Sequence, residues 1–291
     1  MSWFDEARAR LAAQRSWGYA AATPAATEPA ALAALALRAA GRPAEAAHAL
    51  DWLTTIQNAD GSLGVDAEQR QPCWPTGWAV VAWQTAITQG DYAVDRRQTW
   101  GRAAAQAVAW AMRIAGRALD DPNESRVFGH DTTLHGWPWV EATHSWVEPT
   151  AIQLLALRNA GQAAHPRCRE AVRLLLDRQL PNGGWNYGNT TVLGNTLRPH
   201  VQPTGLALAA LASEPEARSR VQPSLDYLQT AIGADTATAS LCYALLGLAA
   251  FDARPAAADA WLAAAYRRAA ARGPAAYLLA LLLLASLGPL P

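Results

Sequence analysis

Apolar residues along this chain recur at helical spacing, and one such stretch occurs twice. Residues 28–41 read EPAALAALALRAAG and residues 148–161 read EPTAIQLLALRNAG. Each begins with Glu-Pro, runs on in Ala, Leu and Ile, and ends in Arg-x-Ala-Gly. Proline fits the first helical position, where no N–H is needed, and glycine fits the residue just past the last turn. A capped apolar helix in two near-copies predicts an array of helical units.

Related starts follow along the chain. Trp74-Pro75-Thr76-Gly77 opens WAVVAWQTA, and Gln202-Pro203-Thr204-Gly205 opens LALAALA. Asp235-Thr236-Ala237 opens TASLCYALLGLAAF, and Gly273-Pro274 opens AAYLLALLLLASL. The pattern thus predicts apolar helices beginning near 29, 75, 149, 203, 236 and 274. They are apolar around most of their circumference, which predicts burial on several sides. Between them, segments near 3–14, 43–57, 95–115, 165–180, 218–231 and 256–271 carry charge on one face, as surface helices do. Six outer helices alternating with six inner ones describe an all-α (α/α)6 toroid, expected to form a single domain over 1–291. No β pattern competes. The apolar run Ala275–Leu287 is too short to span a bilayer and reads as a core helix.

The links are lopsided. Inner-to-outer links such as Gly41-Arg42 are short, whereas the first four outer-to-inner links are long, about 15–27, 58–73, 116–147 and 181–201. All outer-to-inner links gather where the inner helices start, and long loops on a rigid scaffold are where function usually lies.

Composition narrows the functional classes. Net charge is zero, which favours neither nucleic acid nor an anionic membrane. The chain has no lysine, which excludes a Schiff-base mechanism and a Walker-type phosphate loop. Cys73, Cys168 and Cys242 are scattered, without zinc-site spacing. The start MSWFDEARARL carries charges inside an amphipathic helix and does not read as a signal peptide, so a cytoplasmic location is expected. No cofactor or metal is expected.

The long loops and first helical turns hold Trp17, Tyr19, Trp74, Trp78, Trp137, Trp139, Trp146, Trp185 and Tyr187, together with His130, His135, His144 and His200. Aromatics concentrated at one mouth suit an apolar ligand, and their π faces suit a cation. A Trp following Gly in such a loop can instead plug the loop onto the helix ends. Converging helix N-termini, with Arg15, Arg70, Arg126 and Arg198 nearby, would favour a diphosphate or carboxylate, although solvated arginines explain them equally. Expected ligand contacts are Trp74, Trp78, Trp137, Trp139, Trp146, Tyr187, His135 and Arg198.

The segment 116–147 is the most distinctive. A carboxylate buried there against Trp would have a raised pKa and act as a general acid. Asp131 and Glu141 are the candidates, with His144 as a histidine to hold one by hydrogen bonding. A metal on His130, Asp131, His135 and His144 would have no standard spacing. Asp235 is either an N-cap or a further catalytic carboxylate in the mouth. Glu148 heads a helix as Glu28 does in the sister block, and an acid there is favoured by the helix dipole; the pair is therefore read mainly as a helix start.

Gln179-Leu-Pro-Asn-Gly183-Gly-Trp185 matches Gln-x-x-x-Gly-x-Trp, and Gln57-Asn-Ala-Asp-Gly61-Ser-Leu63 is a degenerate copy. This resembles the QW repeat of squalene–hopene cyclases and related class II terpene cyclases, whose toroid the protein prenyltransferase β subunits share. The resemblance spans nearly the whole chain as architecture. It implies that Gln179 and Trp185 tie outer helices to loops. It departs from the cyclases in lacking an Asp-x-Asp-Asp acid. It departs from the prenyltransferases in having Ala237 where a zinc-binding Cys would stand in Asp235-Thr236-Ala237.

Three readings follow. The first is a terpene-cyclase-like protein that binds an isoprenoid and carries out acid-catalysed cyclisation or isomerisation. The second is a non-catalytic toroid for an isoprenoid, lipid or protein partner. The third is a carbohydrate-active (α/α)6 enzyme with two carboxylates. An apolar small molecule is the expected partner and nucleic acid is not. Peripheral membrane contact and a protein partner stay open.

Overall fold

A computed structural model describes residues 2–88, 92–119 and 127–291. Its inner helices are α2 (Thr27–Ala39), α4 (Thr76–Thr88), α6 (Val147–Asn159), α8 (Val201–Leu211), α11 (Thr238–Ala249) and α13 (Ala276–Leu287). The outer helices are α1 (Trp3–Ala12), α3 (Pro43–Thr55), α5 (Val94–Arg113), α7 (Pro166–Asp177), α10 (Gln222–Ala231) and α12 (Ala258–Ala270). A short helix α9 (Pro215–Arg218) lies in the link after α8, and a small hairpin, β1 (Thr191–Val192) with β2 (Asn195–Thr196), lies in the fourth long loop.

Each inner helix packs on the next, and α13 returns to α2, so the ring closes. The fold is the expected all-α toroid of six inner and six outer helices. Burial explains the two sequence patterns. Every residue of α2 from Thr27 to Leu37 and of α6 from Val147 to Leu157 is buried. Helix α7 buries only Cys168, Ala171, Val172, Leu174, Leu175 and Leu176, one face of an amphipathic cylinder. Backbones come close where side chains vanish. A Cβ on Gly205 of α8 would lie 2.2 Å from the Tyr243 carbonyl oxygen of α11, so only glycine permits this approach.

The repeated block ends as expected. Gly41 and Gly161 take φ of +75° and +73°, and the N–H groups of Arg42 and Gln162 return to Leu37 and Leu157 carbonyls at 2.8 Å. Its start differs. Both helices begin two residues before the proline, at Thr27 and Val147, so Glu28 and Glu148 sit within the first turn. Proline is tolerated there because the first N–H groups have no intrahelical partner. The loops supply partners instead: Thr27 N–H donates to Val65 O at 2.8 Å and Val147 N–H to Tyr187 O at 2.9 Å.

The Pro-Thr openings hold the long loops in place. Thr76, Thr150 and Thr204 are fully buried, and their hydroxyls accept the backbone N–H of Leu63, Trp137 and Trp185 at 2.9, 3.0 and 2.9 Å. Gln57 and Gln179 fasten the same loops to the following outer helices, through Ala103 O at 2.8 Å and Ser224 Oγ at 2.9 Å. The toroid is thus a rigid ring with long, pinned loops on one face.

Candidate functional site

The inner-helix N-termini surround a cavity of about 280 Å³. Its walls include Tyr19, Trp74 and Trp139 from the loops and Glu28, Glu148 and Tyr243 from the inner helices. Trp74 and Trp139 meet edge to face at 5.0 Å, and Trp74 N–H donates to Trp139 O at 3.2 Å, which joins the second loop to the third. Tyr19 packs on Tyr277 at 5.1 Å. Wider space of about 820 Å³ adjoins past Tyr19, between the first, fifth and sixth units.

Two carboxylates face this cavity, one from each copy of the repeated block. Glu28 accepts hydrogen bonds from Tyr19 Oη at 2.6 Å and Tyr243 Oη at 3.0 Å. Burial raises its pKa, and the two phenols pull it partly back. The Trp78 indole N–H lies toward the same carboxylate but outside hydrogen-bond geometry. Glu148 is 4% exposed, and its Oε1 has no hydrogen-bond partner among the described residues. Burial first, and the neighbouring Glu28 charge second, push Glu148 up to about 7, against a small opposing effect of Gln202. One carboxyl is therefore fixed by tyrosines, while the other keeps one oxygen without a partner among the described residues and changes protonation near neutrality.

The expected site residues divide into several groups. Trp74 and Trp139 do line the central cavity. Trp146, Tyr187 and Arg198 line a neighbouring rim cleft of about 260 Å³, with Tyr187 stacked near His200 at 5.2 Å. Trp78 and Trp137, expected as ligand contacts, are buried packing residues. Trp137 acts as a plug: its indole N–H donates to Ala111 O at 2.8 Å and Arg167 stacks 4.2 Å over its ring. Trp185 does the same through Leu175 O at 2.6 Å. His135 is held inside the third loop, with Nδ1 3.0 Å from Gly116 O.

The expected burial of Asp131 and Glu141 against tryptophan is not found. Both are exposed. Asp131 accepts from Thr133 Oγ1 at 2.7 Å and Thr133 N at 2.9 Å, which holds its carboxyl below the usual range, opposite to a general acid. His144 is exposed and lines a pocket under the third loop, and Asp235 is exposed at the edge of the wider cleft. Arg126 lies outside the described residues. Among the described residues, no three His, Cys, Asp or Glu side chains gather as a metal site, and no helix is long and apolar enough to cross a membrane.

Glu28 and Glu148 are the residues that sequence reasoning passed over. A partial signal was present: among the inner-helix starts only these two place Glu before the proline, although Glu214-Pro215 opens the short helix α9 in the same way.

No protein-family model and no curated protein matches the chain. Solved structures do. A protein from Actinoplanes, 20% identical, superposes with a TM-score of 0.56 over 92% of this chain and 80% of that one. Native α2-macroglobulin from Escherichia coli, from domain MG7 to the C-terminus, is 16% identical with a TM-score of 0.47, over 98% of this chain and 42% of that one. The type II terpene cyclase MstE from Scytonema is 17% identical with a TM-score of 0.39, over 78% and 77%. The likeness to the Actinoplanes protein is one of fold.

Proposed function

We propose that the toroid mouth binds a small isoprenoid-type molecule and that Glu148 transfers a proton to or from it. The observation that carries this reading is the bare Oε1 of Glu148, buried in an aromatic-lined cavity with its carboxyl pushed to about 7. A group titrating near neutrality both gives and takes protons efficiently. Tyr19, Trp74 and Trp139 offer aromatic faces against which an apolar chain packs.

The same chemistry selects among reactions. Protonating an unactivated alkene calls for a strong acid, and a carboxyl raised to about 7 is a weak one. The site therefore suits isomerisation of a double bond next to a carbonyl better than cyclisation begun by alkene protonation. A carboxylate titrating at about 7 can take the activated C–H proton there and return it at the far end of the resulting dienol. Size also limits the ligand. The central cavity, at about 280 Å³, lies just under the range of roughly 300–1,000 Å³ for small-molecule sites. A short isoprenoid fits, and a longer tail would pass Tyr19 into the wider cleft.

Incubation with the isoprenoid aldehydes geranial and farnesal, with products separated by chromatography and identified by NMR, tests this reading. The expected result is an isomerised product that Glu148→Gln abolishes while ligand binding persists. Binding without any product would favour a non-catalytic toroid. Turnover of an oligosaccharide instead would favour the two-carboxylate glycosidase reading. Product formation unaffected by Glu148→Gln would refute the proton-transfer role.

A further inference from the structure

A second cavity, of about 170 Å³, lies beneath the third loop. Arg117, Arg178, His130 and His144 line it, with Phe128 and Trp146 as an apolar wall, and among the described residues no carboxylate does. Arg178 is 6% exposed. Its Nη1 donates to Gly188 O at 3.1 Å, and its Nε lies 3.6 Å from Asp177 Oδ2, an oxygen that already accepts the Asp131 N–H at 3.0 Å. Burial pulls Arg178 down to about 10, only partly offset by Asp177 and Asp131. His130 is 8% exposed, and its Nδ1 has no partner among the described residues. Arg117 is exposed at the cavity edge and forms no ion pair among the described residues.

A buried guanidinium with one stretched carboxylate contact is poorly compensated, and a buried ring nitrogen without a partner adds to the cost. An anion in the cavity would answer both. We propose that this cavity binds the phosphate group of a small phosphorylated molecule, held by Arg178, Arg117 and His130, with its apolar part against Phe128 and Trp146. Two guanidiniums match the charge of a phosphate dianion better than that of a carboxylate, and their forked donors match its oxygens. The cavity, about 170 Å³ and open on one side, has room for a phosphate and a small apolar group. The rest of such a molecule would leave past Trp146, which also lines the rim cleft.

Calorimetric titration of the full chain with inorganic phosphate, phenyl phosphate and benzoate tests the assignment. Saturable binding is expected, with phenyl phosphate tightest and benzoate weakest. Arg178→Gln and Arg117→Ala should each weaken it about tenfold or more, and Glu148→Gln should leave it unchanged, which separates this cavity from the central one. Arg117 is exposed, so Arg117→Ala decides the matter even where Arg178→Gln does not fold. Absence of saturable phosphate binding, equal affinity in Arg117→Ala, or benzoate binding tighter than phenyl phosphate would overturn the proposal.

Discussion

Glu148→Gln should make this protein more stable, and only above acidic pH. The fold raises the Glu148 carboxyl from its ordinary 4.5 to about 7. The folded state therefore binds this proton more tightly than the unfolded chain. The fold's handicap from this group is absent below about pH 4.5, grows as pH rises to about 7, and then levels off. At roughly 1.4 kcal/mol per pH unit, the full gap corresponds to about 3 kcal/mol. Glutamine carries no charge at any of these pH values, so the variant escapes the handicap. With an unfolding entropy of roughly 2 cal/mol/K per residue, 3 kcal/mol across 291 residues is about 5 °C in Tm. The assay is a pair of thermal melts, wild type and variant, at pH values from 4 to 8.5. Any difference in packing between the glutamine amide and the carboxyl is the same at every pH. The change in the Tm difference with pH isolates the ionisation of Glu148 and its coupling to Glu28. Parallel curves across the range would show that Glu148 is not a buried, neutral carboxyl, and the reasoning would fail.

Other consequences can be checked more simply. Trp137→Ala removes a plug that is 1% exposed and should cost about 3–5 kcal/mol in chemical denaturation. Thr204→Val leaves the buried Trp185 N–H without its 2.9 Å acceptor and should cost about 1–3 kcal/mol, with Thr150→Val doing the same to Trp137. Gly205→Ala forces a Cβ to within 2.2 Å of the Tyr243 carbonyl and should separate α8 from α11, seen as loss of cooperative unfolding. Asp131→Asn and Glu141→Gln, both at exposed positions, should leave product formation at the wild-type level in the turnover assay.

The toroid was legible in the sequence because its signal is periodicity. Helices buried all round, such as α2, alternate with helices buried on one face, such as α7. Each observed inner helix starts within two residues of its expected position. The aromatic mouth was legible as a set, since the long links all precede inner helices. The role of each tryptophan was not. Trp137 and Trp139 stand two residues apart in one loop. The first is a plug because Ala111 and Thr150 present an acceptor to each of its N–H groups; the second turns toward Trp74 and the cavity. The shared cavity of Glu28 and Glu148 was not legible for a different reason. The helix dipole accounts for an acid at a helix start, but says nothing about two such starts facing one cavity. That requires the ring to close, which is a long-range property. The hairpin at 191–196 was also not visible, being a two-residue pairing inside a loop.

The central claim is that Glu148 passes protons to and from a small apolar ligand. Incorporation of carbon-bound deuterium into the isoprenoid aldehydes geranial or farnesal in heavy water, measured against pH, tests it most directly. The account predicts exchange that changes through about pH 7, follows the protonation of Glu148, and disappears in Glu148→Gln while the ligand still binds. Ligand that binds in the cavity yet gains no deuterium at any pH, or gains it equally in Glu148→Gln, would contradict it.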